Sequence, residues 1–118
     1  MNASANVPIT QIVGSGICVS IEDGNRVHDV IVDRLNSGER VVLSFLGVSR
    51  MTTAFLNAAV GQLYNEYDEA TVRSRLAPPI DASQDHLRLL KRVVDNAKIF
   101  FSNQDLARQA LANQVGDE

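Results

Sequence analysis

The sequence predicts a small α/β protein of one domain, in which amphipathic helices pack on a sheet. Its 118 residues suit a single domain with one hydrophobic core. Hydrophobic residues make up 45% of the chain and charged residues 21%, which is typical of a globular domain rather than a disordered one. Short apolar runs also alternate with segments of helical periodicity, in the order strand, strand, helix, strand and further helices.

The first third of the chain predicts two short strands and one helix. Residues 7–13 and 17–21 are apolar runs typical of strands, and Gly14-Ser15-Gly16 between them is typical of a hairpin turn. Asp23-Gly24-Asn25 is expected to end the second strand. A helix is then expected from Arg26, because apolar residues recur at helical spacing: Val27, Val30, Ile31 and Leu35.

The middle of the chain predicts a buried strand followed by a helix. Residues 40–46 are apolar at most positions, which suits a strand buried on both faces. Gly47 ends this run, and the hydroxyl of Thr52 or Thr53 is expected to cap the next helix. The apolar face of that helix comprises Phe55, Leu56, Ala59, Val60, Leu63, Tyr64 and Tyr67.

The last part of the chain predicts helices. Residues 68–76 form a short one, and residues 77–80, with two prolines, suit an edge strand or a loop. Ser83 is expected to cap the clearest helix, which extends to Phe101. Asn103 would then cap a last one. We therefore expect one domain, with a core of about 7–102 and a helical tail over 103–114.

Composition disfavours several classes of function. The net charge is -3, aromatic residues make up 5% and Trp is absent, so we expect no nucleic-acid partner. No apolar run approaches the ~20 residues that span a bilayer, so we expect no membrane partner. The first residues lack the regions of a secretory signal, which predicts a cytoplasmic location. Cys18 stands alone and is interpreted as a small buried apolar residue.

The residues that usually carry catalysis or bind metals are scattered. Gly14-x-Gly16 fails the dinucleotide-binding pattern, because Val19 stands where the third glycine belongs. His28 and His86 lie on different predicted helices, and neither has a ligand residue at helical spacing. We therefore expect no enzyme, no metal and no cofactor.

One segment stands out, at residues 41–56. A buried strand ends, the chain turns, and hydroxyl residues stand where the next helix begins. A helix N-terminus offers unpaired N–H donors and a partial positive charge, so it accommodates a phosphate. Such a phosphate adds about two negative charges, which can disrupt a docked partner.

This segment resembles the STAS-like domain family, which comprises small prokaryotic proteins of largely undefined function. The resemblance covers most of the chain, from about Gly24 to Phe101, and implies a STAS-like sheet carrying helices. The matching blocks are Leu43-Ser44-Phe45-Leu46-Gly47-Val48, Thr52-Thr53-Ala54-Phe55-Leu56-Asn57, Gly61-Gln62-Leu63-Tyr64 and Leu89-Leu90-Lys91-Arg92-Val93-Val94-Asp95-Asn96-Ala97-Lys98.

More distantly, the chain is similar to the STAS domains of anti-sigma factor antagonists, which bind a GHKL-type ATPase acting as a serine kinase. The resemblance implies that Thr53 stands at the position of the phosphorylated serine. It also implies partner contacts around it, for which the candidates are Thr52, Ser44, Arg50 and Asn57. The sequence departs from the STAS-like pattern at Ser44, where Asp is usual. It departs from the antagonists at Thr52 and Phe55, where they carry Asp and Gly.

The leading hypothesis is therefore a non-enzymatic regulatory interaction module that docks on a partner through residues 44–57, with a GHKL-type ATPase as the candidate partner. One alternative is a small-molecule or nucleotide sensor, since pockets favour the loops at strand ends. Another is a self-assembling subunit, a homo-oligomer formed through Leu106 to Leu111. A basic side of the long helix is either solvated or a second docking face; it comprises Arg88, Lys91 and Arg92.

Overall fold

In a computed structural model, which describes residues 4–116 and the side chains of residues 4–102, helices pack on short parallel strands. The predicted α/β class is confirmed. The strands are β1 (Ser4–Pro8), β2 (Ile17–Cys18), β3 (Arg40–Ser44) and β4 (Arg50–Met51). The α-helices are α1 (Ile9–Val13), α2 (Ile21–Asn36), α3 (Thr53–Leu56), α4 (Leu63–Glu66), α5 (Glu69–Arg75) and α6 (Gln84–Gly116). A π-helical turn, Asn57–Gly61, joins α3 to α4.

Strand β3 is the centre of the larger sheet. On one side it pairs in parallel with β1, from Ser4 opposite Arg40 to Pro8 opposite Ser44. On its other side, single parallel bridges join it to Leu76 and Ile80, so the proline segment forms an edge strand. Strands β2 and β4 form a separate parallel pair. As predicted, β3 is buried on both faces, because α2 and the sheet neighbours cover it.

The predicted strand over residues 7–13 and the hairpin turn after it are wrong. The extended segment ends at Pro8, and helix α1 follows. Ile9, Ile12 and Val13 have helical spacing, and Ile9 is buried in the core. Gly14 ends this helix with a left-handed φ of 89° and donates its N–H to the Thr10 carbonyl over 2.8 Å.

The predicted start of α2 at Arg26 is also wrong, because the helix already begins at Ile21. Ser20 caps it, since its Oγ accepts the Asp23 N–H over 3.0 Å. Acidic residues in the first turn favour a helix start rather than a strand end. Gly24 lies inside the helix, where a Cβ would come within 2.5 Å of the Phe55 carbonyl oxygen. Because glycine has no Cβ, α2 and α3 approach closely at this position.

Helix α6 starts as predicted but does not stop where predicted. The Ser83 Oγ accepts the His86 N–H over 3.1 Å, which confirms the cap. The predicted new start at Asn103 is wrong, because no Gly or Pro interrupts the helix before Gly116. The side chains from Leu106 to Leu111, to which the self-assembly hypothesis refers, lie outside the described residues. Within residues 4–116, no helix has the length and hydropathy that crossing a membrane requires.

Helix α5 begins at a capping carboxylate, which predicts a pH-dependent contribution to stability. The Asp68 Oδ1 accepts the Thr71 N–H over 2.8 Å. Hydrogen bonding from the Thr71 hydroxyl, and then from this N–H, lowers the pKa of Asp68. A carboxyl whose pKa is lowered by folding stabilises the fold above its unfolded-state pKa, and that contribution is lost as the pH falls through the folded-state pKa. We expect Asp68→Ala to lower the urea midpoint at neutral pH, and the difference from wild type to shrink in acid. An Asp68→Asn variant keeps a neutral acceptor, so its loss of stability at neutral pH should be smaller than that of Asp68→Ala. A difference between Asp68→Ala and wild type that stays constant from neutral to acidic pH would contradict this reading.

Candidate functional site

The turn between β3 and β4 is held by Gly16 of the N-terminal loop. The Gly16 carbonyl oxygen accepts the N–H groups of Ser49 and Arg50 over 2.9 and 3.1 Å. A Cβ on Gly16 would lie 2.4 Å from the Gly47 carbonyl oxygen, so only glycine allows this approach. In the Gly14-x-Gly16 motif, Gly16 therefore packs one loop against another, whereas Gly14 ends α1.

Thr52 and Thr53 have different roles at the start of α3. The Thr52 hydroxyl donates to the Val19 carbonyl oxygen over 3.0 Å and accepts the Phe55 N–H over 3.3 Å. Thr52 is thus the helix cap, and it ties α3 to the segment after β2. Thr53 is exposed, and its hydroxyl has no hydrogen-bond partner in the part of the chain whose side chains are described. Of the two hydroxyls, only that of Thr53 is free to react or to contact a partner.

The other predicted contacts divide between the interior and the surface. Ser44 is buried, and its Oγ accepts the Leu46 N–H over 3.4 Å, so it supports the turn from within. Arg50 is exposed and forms no ion pair with the described side chains. Asn57 is exposed four residues after Thr53, a spacing that places both on one side of a helix. Thr53 and Asn57 therefore share a surface from which Ser44 is excluded.

The predicted basic face on α6 is largely neutralised by acidic neighbours. Arg88 lies 3.5 Å from Asp85, and the Lys91 Nζ lies 2.8 Å from the Asp95 carboxylate. The hydrogen bond between these last two raises the pKa of Lys91 and lowers that of Asp95. Arg92 alone of the three cations has no ion pair within residues 4–102. This arrangement is typical of a solvated helix face.

A pocket of about 600 Å³ was not foreseen from the sequence. It lies beside α3, where Ala54 and, in the π-helical turn, Asn57 face the middle turns of α6 that carry Asn96 and Phe100. Ile21, at the start of α2, also lines it. These residues are far apart in the sequence, and small residues such as alanine give no motif. No local pattern therefore marks the pocket.

His28 makes two side-chain contacts that the spacing of residues in the sequence does not reveal. The ring is buried, and its Nδ1 lies 3.2 Å from the Ala59 carbonyl oxygen in the π-helical turn. Its Nε2 lies 2.6 Å from Oε1 of Glu66, which belongs to α4. Because the Ala59 carbonyl oxygen and the Glu66 carboxylate both accept, this geometry suits a ring that donates from both nitrogens, from Nδ1 to Ala59 and from Nε2 to Glu66. His28 thereby joins α2 to both parts of the helical segment after α3.

His86 contacts both the start of α6 and the core. Its Nδ1 accepts the Ser83 N–H over 3.2 Å, and its ring stacks on Phe45 with the centroids 5.4 Å apart.

Cys18 is fully buried, as interpreted, and burial raises the pKa of its thiol. In the described residues no three His, Cys, Asp or Glu side chains gather as a metal site requires.

The fold and this strand-to-helix site define a small α/β domain with parallel strands and an exposed hydroxyl at a helix start. The family described as the STAS-like domain of unknown function (DUF4325) matches residues 23–85. The match covers more than half of the chain, and the chain belongs to this family, which confirms the resemblance noted in the sequence. No curated protein and no solved structure matches the chain.

Proposed function

We propose that the chain is a non-enzymatic regulatory module that binds a protein partner through the surface at the start of α3. The observation that carries this proposal is the contrast between the two threonines. Thr52 uses its hydroxyl to cap the helix, whereas Thr53 presents a free hydroxyl to solvent at the first helical position. Modification of Thr53 therefore changes the surface without removing the cap.

The composition of the surrounding surface supports a protein partner. Ile21 is 60% exposed and Val19 37%, and the Thr52 hydroxyl holds their segment beside α3. Exposed Arg50 and Asn57 add a cation and a carboxamide. Apolar side chains among polar groups that include Arg are typical of interfaces between proteins. The resemblance to anti-sigma factor antagonists makes a GHKL-type ATPase the partner to test first.

Phosphorylation of Thr53 is the proposed regulatory event. A phosphate brings about two negative charges and strong acceptor oxygens to a position where the unmodified side chain has only a neutral hydroxyl. The N–H groups at the helix start and the nearby Arg50 favour that charge on the free chain. A partner surface that fits the unmodified hydroxyl must then desolvate the charge, so the complex dissociates.

The decisive variant is Thr53→Glu, which places a carboxylate where the phosphate would be. The chain is captured from its host with its partner, and the dissociation constant of the purified pair is measured by calorimetry. We expect Thr53→Glu to weaken the complex by about tenfold or more, because the added charge is desolvated in the interface. Thr53→Ala should bind as the wild type does.

The matched control is Ser74→Glu, which makes the same kind of change at an exposed position on α5. It should leave the affinity unchanged. If Thr53→Glu binds as tightly as Ser74→Glu, the site at the start of α3 is not the switch.

A further inference from the structure

The pocket beside α3 has the volume and the lining of a small-molecule site. Its volume of about 600 Å³ falls within the range of ligand pockets. Its floor is made of buried small residues, namely Ala58, Gly61 and Ala97. A Cβ on Gly61 would lie 3.8 Å from the Ala97 Cβ, so the absence of a side chain at Gly61 leaves this part of the pocket open down to the backbone of the π-helical turn.

The charge of the lining restricts the ligand. No Asp, Glu, Lys or Arg side chain is among the residues that line the pocket within the described part of the chain. A phosphate or carboxylate placed here would lose its hydration without a cationic partner, which is costly. The pocket therefore selects an uncharged ligand, or the uncharged part of one.

Three carboxamides provide the polar contacts, and two of them are uncommitted. Asn57 and Asn96 make no hydrogen bond through their side chains within residues 4–102. Gln62 instead donates its amide to the Asn25 Oδ1 over 3.1 Å and to the Ala58 carbonyl oxygen over 3.0 Å, which leaves its own oxygen as an acceptor. The pocket thus offers both donors and acceptors to a bound molecule.

The rim of the pocket carries aromatic rings. Phe100 and Phe101 meet edge to face, with their centroids 5.0 Å apart at 81°. Both line the pocket, and Phe100 is 55% exposed. An exposed ring beside an apolar floor favours a flat ligand that stacks on it.

We propose that this pocket binds an uncharged planar heterocycle with adjacent hydrogen-bond donor and acceptor atoms, namely the base of a nucleoside. A carboxamide matches such an edge with two parallel hydrogen bonds, as Asn and Gln do with adenine. Asn57 and Asn96, from the two walls, contact the polar edge, while Phe100 stacks on the ring. Because no cation is among the described residues that line the pocket, the base and not a phosphate group carries the affinity. This proposal does not depend on the docking function of Thr53.

The test uses the full chain labelled with ¹⁵N and titrated separately with adenosine, guanosine, cytidine and uridine. The side-chain amide signals of Asn57 and Asn96 should shift and saturate with at least one nucleoside. Asn57→Leu and Asn96→Leu should each weaken binding by about tenfold, because each removes a pair of hydrogen bonds. Adding a 5′-phosphate to the nucleoside should not tighten binding.

Two further variants separate binding in the pocket from a surface effect. Ala54→Leu adds bulk at the exposed rim without touching the core and should abolish the shifts. Asn65→Leu changes an exposed asparagine outside the pocket and should bind as the wild type does. The main-chain amide spectrum shows whether each variant is folded. If no nucleoside gives saturable shifts in the folded wild type, or if Ala54→Leu leaves them unchanged, the proposal is overturned.

Discussion

Gly24→Ala is expected to lower the free energy of unfolding by about 2 kcal/mol, even though alanine is the better helix former by about 1 kcal/mol. The added Cβ would lie 2.5 Å from the Phe55 carbonyl oxygen and 2.7 Å from the Ala58 Cβ. The nearer of these atoms belongs to the backbone and cannot rotate away. Helices α2 and α3 must therefore separate, and the start of α3 must move with them. Urea denaturation followed by circular dichroism measures the loss.

The matched control is Gly61→Ala, a second buried glycine in a helical segment. There the nearest atom to an added Cβ is the Asn57 Oδ1 at 3.3 Å, which is the end of a side chain that can turn. We expect a change of less than about 1 kcal/mol, because the gain in helix propensity offsets the small adjustment. An equal loss for both variants would mean that the close approach at Gly24 is not what sets the cost.

His28→Leu is expected to destabilise the fold by about 2 kcal/mol, although leucine is the more hydrophobic residue. The substitution removes the donor to the Ala59 carbonyl oxygen, which the ring now satisfies over 3.2 Å. A buried carbonyl left without a donor costs about 1–3 kcal/mol. The Glu66 carboxylate is 43% exposed and can return to water, so its loss of a partner adds little. Equilibrium unfolding in urea at neutral pH gives the difference.

Glu66→Gln isolates the other side of the His28 contact. Gln keeps an oxygen at the same place to accept from Nε2 but removes the charge, so we expect less than about 1 kcal/mol of destabilisation. If Glu66→Gln proved as damaging as His28→Leu, the stabilisation would reside in the ion pair and not in the bond to Ala59.

The elements that sequence reasoning predicted correctly are those with local signals. Residues 40–46 form an apolar run that suits a buried strand, and the structure has β3 over Arg40–Ser44. Ser83 precedes apolar residues that recur at helical spacing, and it caps α6. Thr52 likewise stands before an apolar helix face and caps α3. In each case the residues that decide the structure lie within one or two turns of each other.

The incorrect or missed predictions concern an element too short to show its periodicity and contacts between residues far apart in the sequence. Helix α1 is only five residues long, so its spacing was not distinguished from a short strand. In the sequence, Gly24 and its polar neighbours are typical of a strand end. The contact with the Phe55 backbone, which requires glycine inside the helix, has no local signal. Glu66 and His28 meet only after the helices pack, and so do Ile21 and Phe100 at the pocket. The candidate at Thr53 was identifiable because it depends on a helix start, whereas the pocket depends on tertiary packing.

The parallel pairing of the strands has a consequence for how the chain assembles during synthesis. Strand β1 cannot pair until β3 has been made, and β3 lacks its second neighbour until Ile80 follows. Strand β2 likewise waits for β4, and each pairing closes a long connection that contains helix α2. Such non-local contacts slow folding, because loop-closure entropy is lost before any pairing energy is gained. Helix α2, which forms locally, is thus the natural template on which a nascent chain gathers its strands.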